Sequence, residues 1–481
     1  MTVVDNETTS SRPRTRGDEE MSHHPGLTRR AAVAMLGLPA LWPAAAAAQG
    51  FIPGTLPPLK AGKPYAGTTI KVPTQKGWAS FAPAVELTKN FEDLTGIKVQ
   101  YDMIPGSEIG PKQLLAVSQS SGTYDVVTQH AATFGSFFRF LQPVDDRIAA
   151  TWGSVEKFES WFFPAQKGVK GRDGKHYFVP FHANAQIGYY RKALFEDAQE
   201  RAAFKAKYGY DLAPPTTIEQ VRDIATFFTR PDKNLYGLTA NWGAGQGYVA
   251  FIGYYSDTGR DLLDANFQPT MKTPEGRAKA IEILRFMQDS IHKAKIVNPD
   301  SANFQTGQVS DFFLSGASAM AYGWLSDYWT FMQKPENTRQ VGPVGAFRFP
   351  SFGGKPAGGF SSWWVMGIPK DSKHPDAAWE YIKWLLNESP QIEMAAGQLP
   401  PIKTLAYRTA VEPGGVNPRA LYDAFVEARI AIQVPEMSQQ PNRKGIELYT
   451  QLIANKITPE KFVDDYVAEV EKTLKAAGYI K

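Results

Sequence analysis

Between residues 69 and 128 the chain alternates strand, helix and strand at spacings that leave few folds open. Thr69-Ile70-Lys71-Val72 reads as a strand ending at Pro73. Phe81 to Thr95 places Phe81, Ala84, Val85, Thr88, Phe91 and Leu94 on one helical face, and Gly96 is well placed to stop it. Ile97 to Tyr101 is a second strand, about Lys112 to Ser120 a second helix, and Tyr124 to Thr128 a third strand. Such alternation predicts a parallel sheet with right-handed crossovers, which binds ligands at the carboxyl ends of its strands. Those ends are Thr74-Gln75-Lys76-Gly77-Trp78 and Gln129-His130-Ala131, both polar with small residues that allow close approach.

A second constraint is Gly358-Gly359-Phe360-Ser361-Ser362-Trp363-Trp364-Val365-Met366-Gly367-Ile368-Pro369. The apolar part suits a buried strand, and Gly-Gly at its start lets a backbone or a ligand come close. A helix follows from Asp376 to about Asn387, burying Trp379, Ile382, Leu385 and Leu386 at helical spacing; Trp379 and Trp384 read as structural.

In the middle of the chain, Lys175 to Asn184 leads into Ile187 to Lys192, an extended run of the kind that crosses between domains. A second α/β unit begins there. Thr216-Thr217-Ile218-Glu219 offers a capping box for a helix with Val221, Ile224, Ala225 and Phe228 inward. The strand Tyr236 to Thr239 ends in a loop, Asn241 to Gly247, with alternating glycines. That loop lacks the Lys-Ser/Thr of a phosphate loop and the acidic partner of a dinucleotide site, so a nucleotide is not expected. Met320 to Trp324 is another strand, Leu399 to Ile402 a further crossing, and a helix capped by Thr458 runs from Pro459.

The first 48 residues read as an export signal. Arg29-Arg30 precede the short apolar run Ala31 to Leu41 and the small residues Ala44 to Ala48, with cleavage expected near Ala48. The paired arginines resemble a twin-arginine signal, although Ala32 stands where a bulky residue is usual. Met21 is an alternative start. Residues 49–64, rich in Pro and Gly, read as a flexible arm. A soluble, periplasmic protein is expected. The 52 basic and 48 acidic residues form no basic stripe, which argues against nucleic acid. With no Cys, thiolate metal sites and thiol catalysis are excluded. No cofactor or metal is expected.

Enzyme motifs are missing. There is no H-E-x-x-H and no G-x-S-x-G, and Gly316-Ala317-Ser318-Ala319-Met320 lacks the second glycine. Asp145-Asp146 is the kind of carboxylate pair a glycosidase uses, but adjacent residues diverge and a turn start explains them better.

Several segments in order resemble the extracellular solute-binding proteins of ABC importers, in the sugar-binding family that includes maltose-binding protein. They are Phe91 to Val99, Tyr124 to Val127, Leu141 to Asp146, Val179-Pro180-Phe181 with Tyr190 to Phe195, Pro214 to Thr217, Gly316 to Met320, and Gly359 to Pro369 with Ser372-Lys373. The resemblance implies a two-lobed α/β periplasmic-binding-protein fold with parallel or mixed sheets and three crossings between the lobes. One lobe takes 65–180 and 360–396, the other 181–359 and 397–481. It also implies a site between them: Lys76 and Trp78, Gln129 and His130, Asn184, Trp242 and Gln246, Trp324 and Asp327, and Gly359 with Trp363, Trp364 alternating to the opposite face. The implied ligand is a carbohydrate or polyol, stacked on aromatic faces and bonded by polar side chains. The implied partner is the membrane permease of an ABC importer, and the protein is expected to be a monomer and not an enzyme. Lys76 and His130 leave room for an anionic solute such as a sugar acid or glycerol phosphate. A sensor role and a secreted glycoside-acting enzyme are the remaining alternatives.

Overall fold

One long strand joins the two halves of the molecule. The computed structural model describes residues 58–76, 82–105, 108–130, 134–162, 170–171, 173–304, 306–324, 332, 335–348, 350–353, 361–395 and 434–481. Its main elements run β1 (Thr69–Gln75), α1 (Ala82–Thr95), β2 (Lys98–Ile104), α2 (Ile109–Ser118), β3 (Val127–His130), α3 (Asp145–Trp152), α4 (Val155–Trp161) and β4 (Val179–Arg191). They continue with α5 (Ala198–Tyr208), α6 (Ile218–Phe228), β5 (Tyr236–Ala240), α7 (Ala244–Asp257), α8 (Pro274–His292), α9 (Thr306–Phe312), β6 (Ser318–Trp324) and β7 (Val344–Phe347). The last are β8 (Ser361–Gly367), α10 (Pro375–Ala395), α11 (Gln440–Ile453) and α12 (Pro459–Ala476).

The 13-residue β4 changes partners along its length. Val179 to Ala185 pairs antiparallel with β8, while Gln186 to Tyr190 pairs with β6 and Gly188 to Arg191 with β7. The sheet order β3-β8-β4-β6-β5 is therefore continuous through this strand, with β7 on the far half of β4. This sheet is mixed, with β5/β6 parallel and β8 antiparallel to both its neighbours, while β1 and β2 form a separate two-stranded parallel sheet.

Each half has its own core. Lobe I packs Ile70, Val72, Phe91, Val126, Trp379, Trp384 and Leu386, with the expected inward residues of α10 at 4% exposure or less. The second core packs Val221, Phe228, Leu238, Phe251, Phe462, Tyr466 and Val470, the last three from α12. In lobe I, β1 lies beside the segment leading into β3, with Lys71 N donating to Asp125 Oδ2 at 3.0 Å and Thr128 Oγ1 to the Pro73 carbonyl at 2.9 Å. Gly96 adopts φ +74° and ends α1, where a Cβ would collide with Ala66.

Three local expectations are corrected. Leu94 is 58% exposed, and Thr95 takes the buried position at the end of α1. The cap of α6 lies one residue further on: Thr217 accepts from Gln220 N, and Gln220 Oε1 accepts from Thr216 N at 2.7 Å. The arm is not loose at its described end. Lys383 and Glu380 form an ion pair at 2.8 Å with only a few per cent of either side chain exposed. Lys383 Nζ also donates to the Pro58 carbonyl at 3.0 Å, and Lys60 N donates to Glu380 Oε2 at 2.9 Å. A buried ion pair needs every remaining valence met, and here arm backbone meets two of them. The rest of the arm, the export signal and the Leu399 crossing lie outside the described residues.

Candidate functional site

The two halves of β4 carry the two halves of the site. In lobe I, β3 and β8 pair so that His130 stands opposite Trp364, and β4 pairs with β8 so that His182 stands opposite the same Trp364. The row reads His130, Trp364, His182 across three strands at the carboxyl end of β3. The imidazole of His130 meets the indole edge to face, centroids 5.7 Å apart at 75°. Burial, and then the nearby His182, push the His130 pKa down to about 4, so it is neutral at physiological pH. Trp364 is half-buried rather than enclosed.

Trp364 shares a face with His130 and packs, half-buried, against the lobe I core. Trp363 stands opposite Ala183 and Asn184 opposite Ser362; their side chains, with Trp78, Asp327 and Gly359, lie outside the described residues. Gln129 is buried opposite Val365, on the other face from His130, the face on which Val365 packs with Phe134, Phe137 and Phe178. Lys76 is exposed at the end of β1, its N–H bonded to the Ile104 carbonyl at 2.7 Å.

In lobe II the structure brings two expected residues together. Trp324, at the end of β6, donates through Nε1 to Gln246 Oε1 at 3.1 Å. The stretch 241–247 is not a free loop: Gly243 caps α7, which begins at Ala244, so Gln246 sits in its first turn. Gly247 is needed for helix packing, since a Cβ there would collide with Tyr449 of α11. Trp242 is fully buried against Phe286 in the lobe II core, a correction to its expected place in the cleft. Its indole is large enough to fill the space between α7 and α8, and the strand end turns it inward.

Gln186 was missed from the sequence. It stands directly opposite Trp324, is 2% exposed, and accepts from Tyr322 OH at 3.0 Å through Oε1. Its only sequence signal was a polar residue inside the apolar run of a crossing strand.

Other clusters lack this arrangement. His176, with no exposed side-chain surface, lies 2.9 Å from Asp145 through Nδ1 and 3.2 Å from Glu159 through Nε2; Asp145 also accepts from the His176 N–H at 2.9 Å. That ties a β-turn to the start of α3 and accounts for Asp145 structurally. Among the described residues no group of three or more His, Cys, Asp or Glu could hold a metal. A groove of about 540 Å³ between α6 and α8, lined by Arg222, Phe286, Arg285 and Asp289, contains none of the expected site residues.

The family model for bacterial extracellular solute-binding proteins matches residues 73–392. An arabinooligosaccharide-binding protein of Halalkalibacterium halodurans is 24% identical over 204 residues, 42% of this chain and 40% of that one. A mannitol-binding protein of Pseudomonas aeruginosa is 27% identical over 279 residues, 55% of this chain and 59% of that one. A probable amino-acid ABC transporter periplasmic-binding protein of Sinorhizobium fredii is 21% identical over 432 residues, 87% and 92%. The aligned stretch thus spans about half the length of the two sugar- and polyol-binding relatives. Maltose-bound MalE3 of T. maritima superposes with a TM-score of 0.68 at 20% identity, covering 84% of this chain and 99% of that one. With the two-lobed fold, its connecting strand and the family match in agreement, the chain belongs to the bacterial extracellular solute-binding proteins.

Proposed function

We propose that this protein is an exported receptor that captures a carbohydrate or polyol between its lobes and delivers it to the membrane permease of an ABC importer. The observation that carries this reading is the pair of indoles on the strands beside β4, Trp364 on β8 next to its first half and Trp324 on β6 next to its second. Trp364 is flanked by imidazoles in lobe I, and Trp324 is held by Gln246 in lobe II. An indole face suits the C–H side of a sugar or polyol, and the amides and neutral His130 suit its hydroxyls. The sugar- and polyol-binding relatives support the same class. Ligand would favour the closed lobes, and the closed form is what a permease would recognise. The protein would act as a monomer without catalysis, after removal of residues 1–48 as a twin-arginine-type signal. We place the lobes at 65–180 with 360–396 and at 181–359 with 397–481, although Phe181 itself packs in the lobe I core.

The test is calorimetric titration and thermal shift of the mature protein with D-mannitol, ribitol, maltose, an arabinooligosaccharide, sugar acids, glycerol phosphate and amino acids. Ligand at about 100 times Kd stabilises by about 2.7 kcal/mol, well within reach of a melting curve. Binding of a neutral sugar or polyol supports the reading. Binding of anions alone, or of amino acids alone, overturns it.

A further inference from the structure

We propose that Gln186 is a specificity-determining residue of this site, its carboxamide nitrogen donating to an acceptor oxygen of the bound solute beside Trp324; the proposal rests on the reading of the site given above. The register of β4 and β6 sets Gln186 directly across from Trp324, and the pleat puts both on the face that also carries Tyr322. The orientation of the amide is fixed from below. Tyr322 OH donates to Oε1 at 3.0 Å, and the Tyr322 ring stacks on Tyr254 of α7 at 5.5 Å. With Oε1 engaged, the nitrogen is the group turned away from Tyr322.

That nitrogen is buried and makes no hydrogen bond among the described residues. Interiors rarely leave such a donor unmatched, because its lost hydration is not returned. Leucine would fill the same space at no such cost, so an amide here calls for an acceptor. Trp324 is as enclosed as Gln186, at 5% exposed. Because the register sets Gln186 directly across from Trp324, a solute against the Trp324 indole lies beside the Gln186 amide as well. Gln246 repeats the arrangement on the other side, its Oε1 taken by Trp324 Nε1. Lobe II thus offers amide donors around one indole, which suits a solute presenting hydroxyl, ring or glycosidic oxygens as acceptors.

The experiment compares wild type with Gln186→Leu, Gln186→Glu and Tyr322→Phe by calorimetry, using whichever of D-mannitol, ribitol and maltose the wild type binds. Deoxy analogues of that solute are titrated alongside. Gln186→Leu, which deletes the donor, is expected to weaken binding about ten- to hundredfold. Its ligand-free melting temperature should be unchanged or higher. One deoxy analogue should bind wild type and Gln186→Leu equally, identifying the oxygen that is read. Gln186→Glu, nearly isosteric but offering an acceptor, should lose at least as much affinity. Tyr322→Phe should lose less, since it frees the amide to turn without removing it. Gln186→Leu binding within twofold of wild type overturns the proposal alone, and means the donor is met by an ordered water. Should Gln186→Leu fail to fold, unaltered affinity in Gln186→Glu overturns it equally. A wild type that binds none of the panel overturns the reading of the site and this proposal with it.

Discussion

His130 and Trp364 meet edge to face at 5.7 Å because the last residue of β3 pairs directly with the fourth residue of β8. The contact makes Trp364 the indole of lobe I that shares the His130 face. Trp364→Ala should therefore weaken solute binding by about 0.5–1.5 kcal/mol, the scale of a lost aromatic contact. Calorimetry on Trp364→Ala and Trp364→Phe checks this. A phenylalanine that restores most of the affinity would show that the ring face, rather than the fold around it, carries the effect.

The same contact has a consequence for pH. The His130 pKa is held at about 4, below the ordinary value of 6.5, by burial first and by His182 second. Between these values the unfolded chain takes up a proton that the folded chain refuses, so stability falls as pH falls. The contribution is fully present above about pH 6.5 and is lost as pH drops through 4. Urea midpoints from pH 7.5 to 4 should fall more steeply for wild type than for His130→Gln, which cannot titrate. Parallel slopes would remove His130 from the account.

The docked arm predicts a truncation effect. Lys383 and Glu380 are buried together, and their outer valences are met by Pro58 and Lys60 backbone. A chain beginning at residue 65 should be less stable than one beginning at 49 by about 1–3 kcal/mol, the cost of uncovering buried polar groups. Lys383→Met, which strands the Glu380 charge, should cost about 3–5 kcal/mol. Denaturant unfolding measures both, and solute affinity should hold at temperatures where each variant is folded.

Helical faces were legible in the sequence because their signal is local. Ile382, Leu385 and Leu386 on α10, and Phe462, Val463, Tyr466, Val470 and Leu474 on α12, are buried at helical spacing, with Val467 only half-buried, and the Thr458 cap accepts from Lys461 N. Strand register was not legible. Whether Trp363 or Trp364 shares a face with His130 depends on a one-residue register between β3 and β8, more than 230 residues apart. The role of Gly247 was hidden for a similar reason: its partner, Tyr449, is about 200 residues away. Trp242 and Gln186 were exchanged between core and site because composition at a strand end does not say which side chain turns inward. The arm could not be read because its anchor is a buried Lys-Glu pair that looks, in sequence, like an exposed i,i+3 pair on a helix.

The Asp145-Asp146 pair separates a structural role from a chemical one. Asp145 accepts from both the backbone N–H and the ring Nδ1 of His176, whose other nitrogen faces Glu159, itself paired with Lys170 at 2.5 Å. Asp146 is exposed, whereas Asp145 is half-buried against His176, so the pair sits in two different environments. Asp145→Ala leaves a buried imidazole and a backbone N–H short of a partner, which costs about 2–4 kcal/mol. Solute affinity, measured where the variant is fully folded, should stay within a factor of about two of wild type, since among the described residues its hydrogen bonds go to His176. Asp146→Ala should change neither by a measurable amount. A variant at Asp145 that keeps its stability but loses binding would return these carboxylates to the functional site.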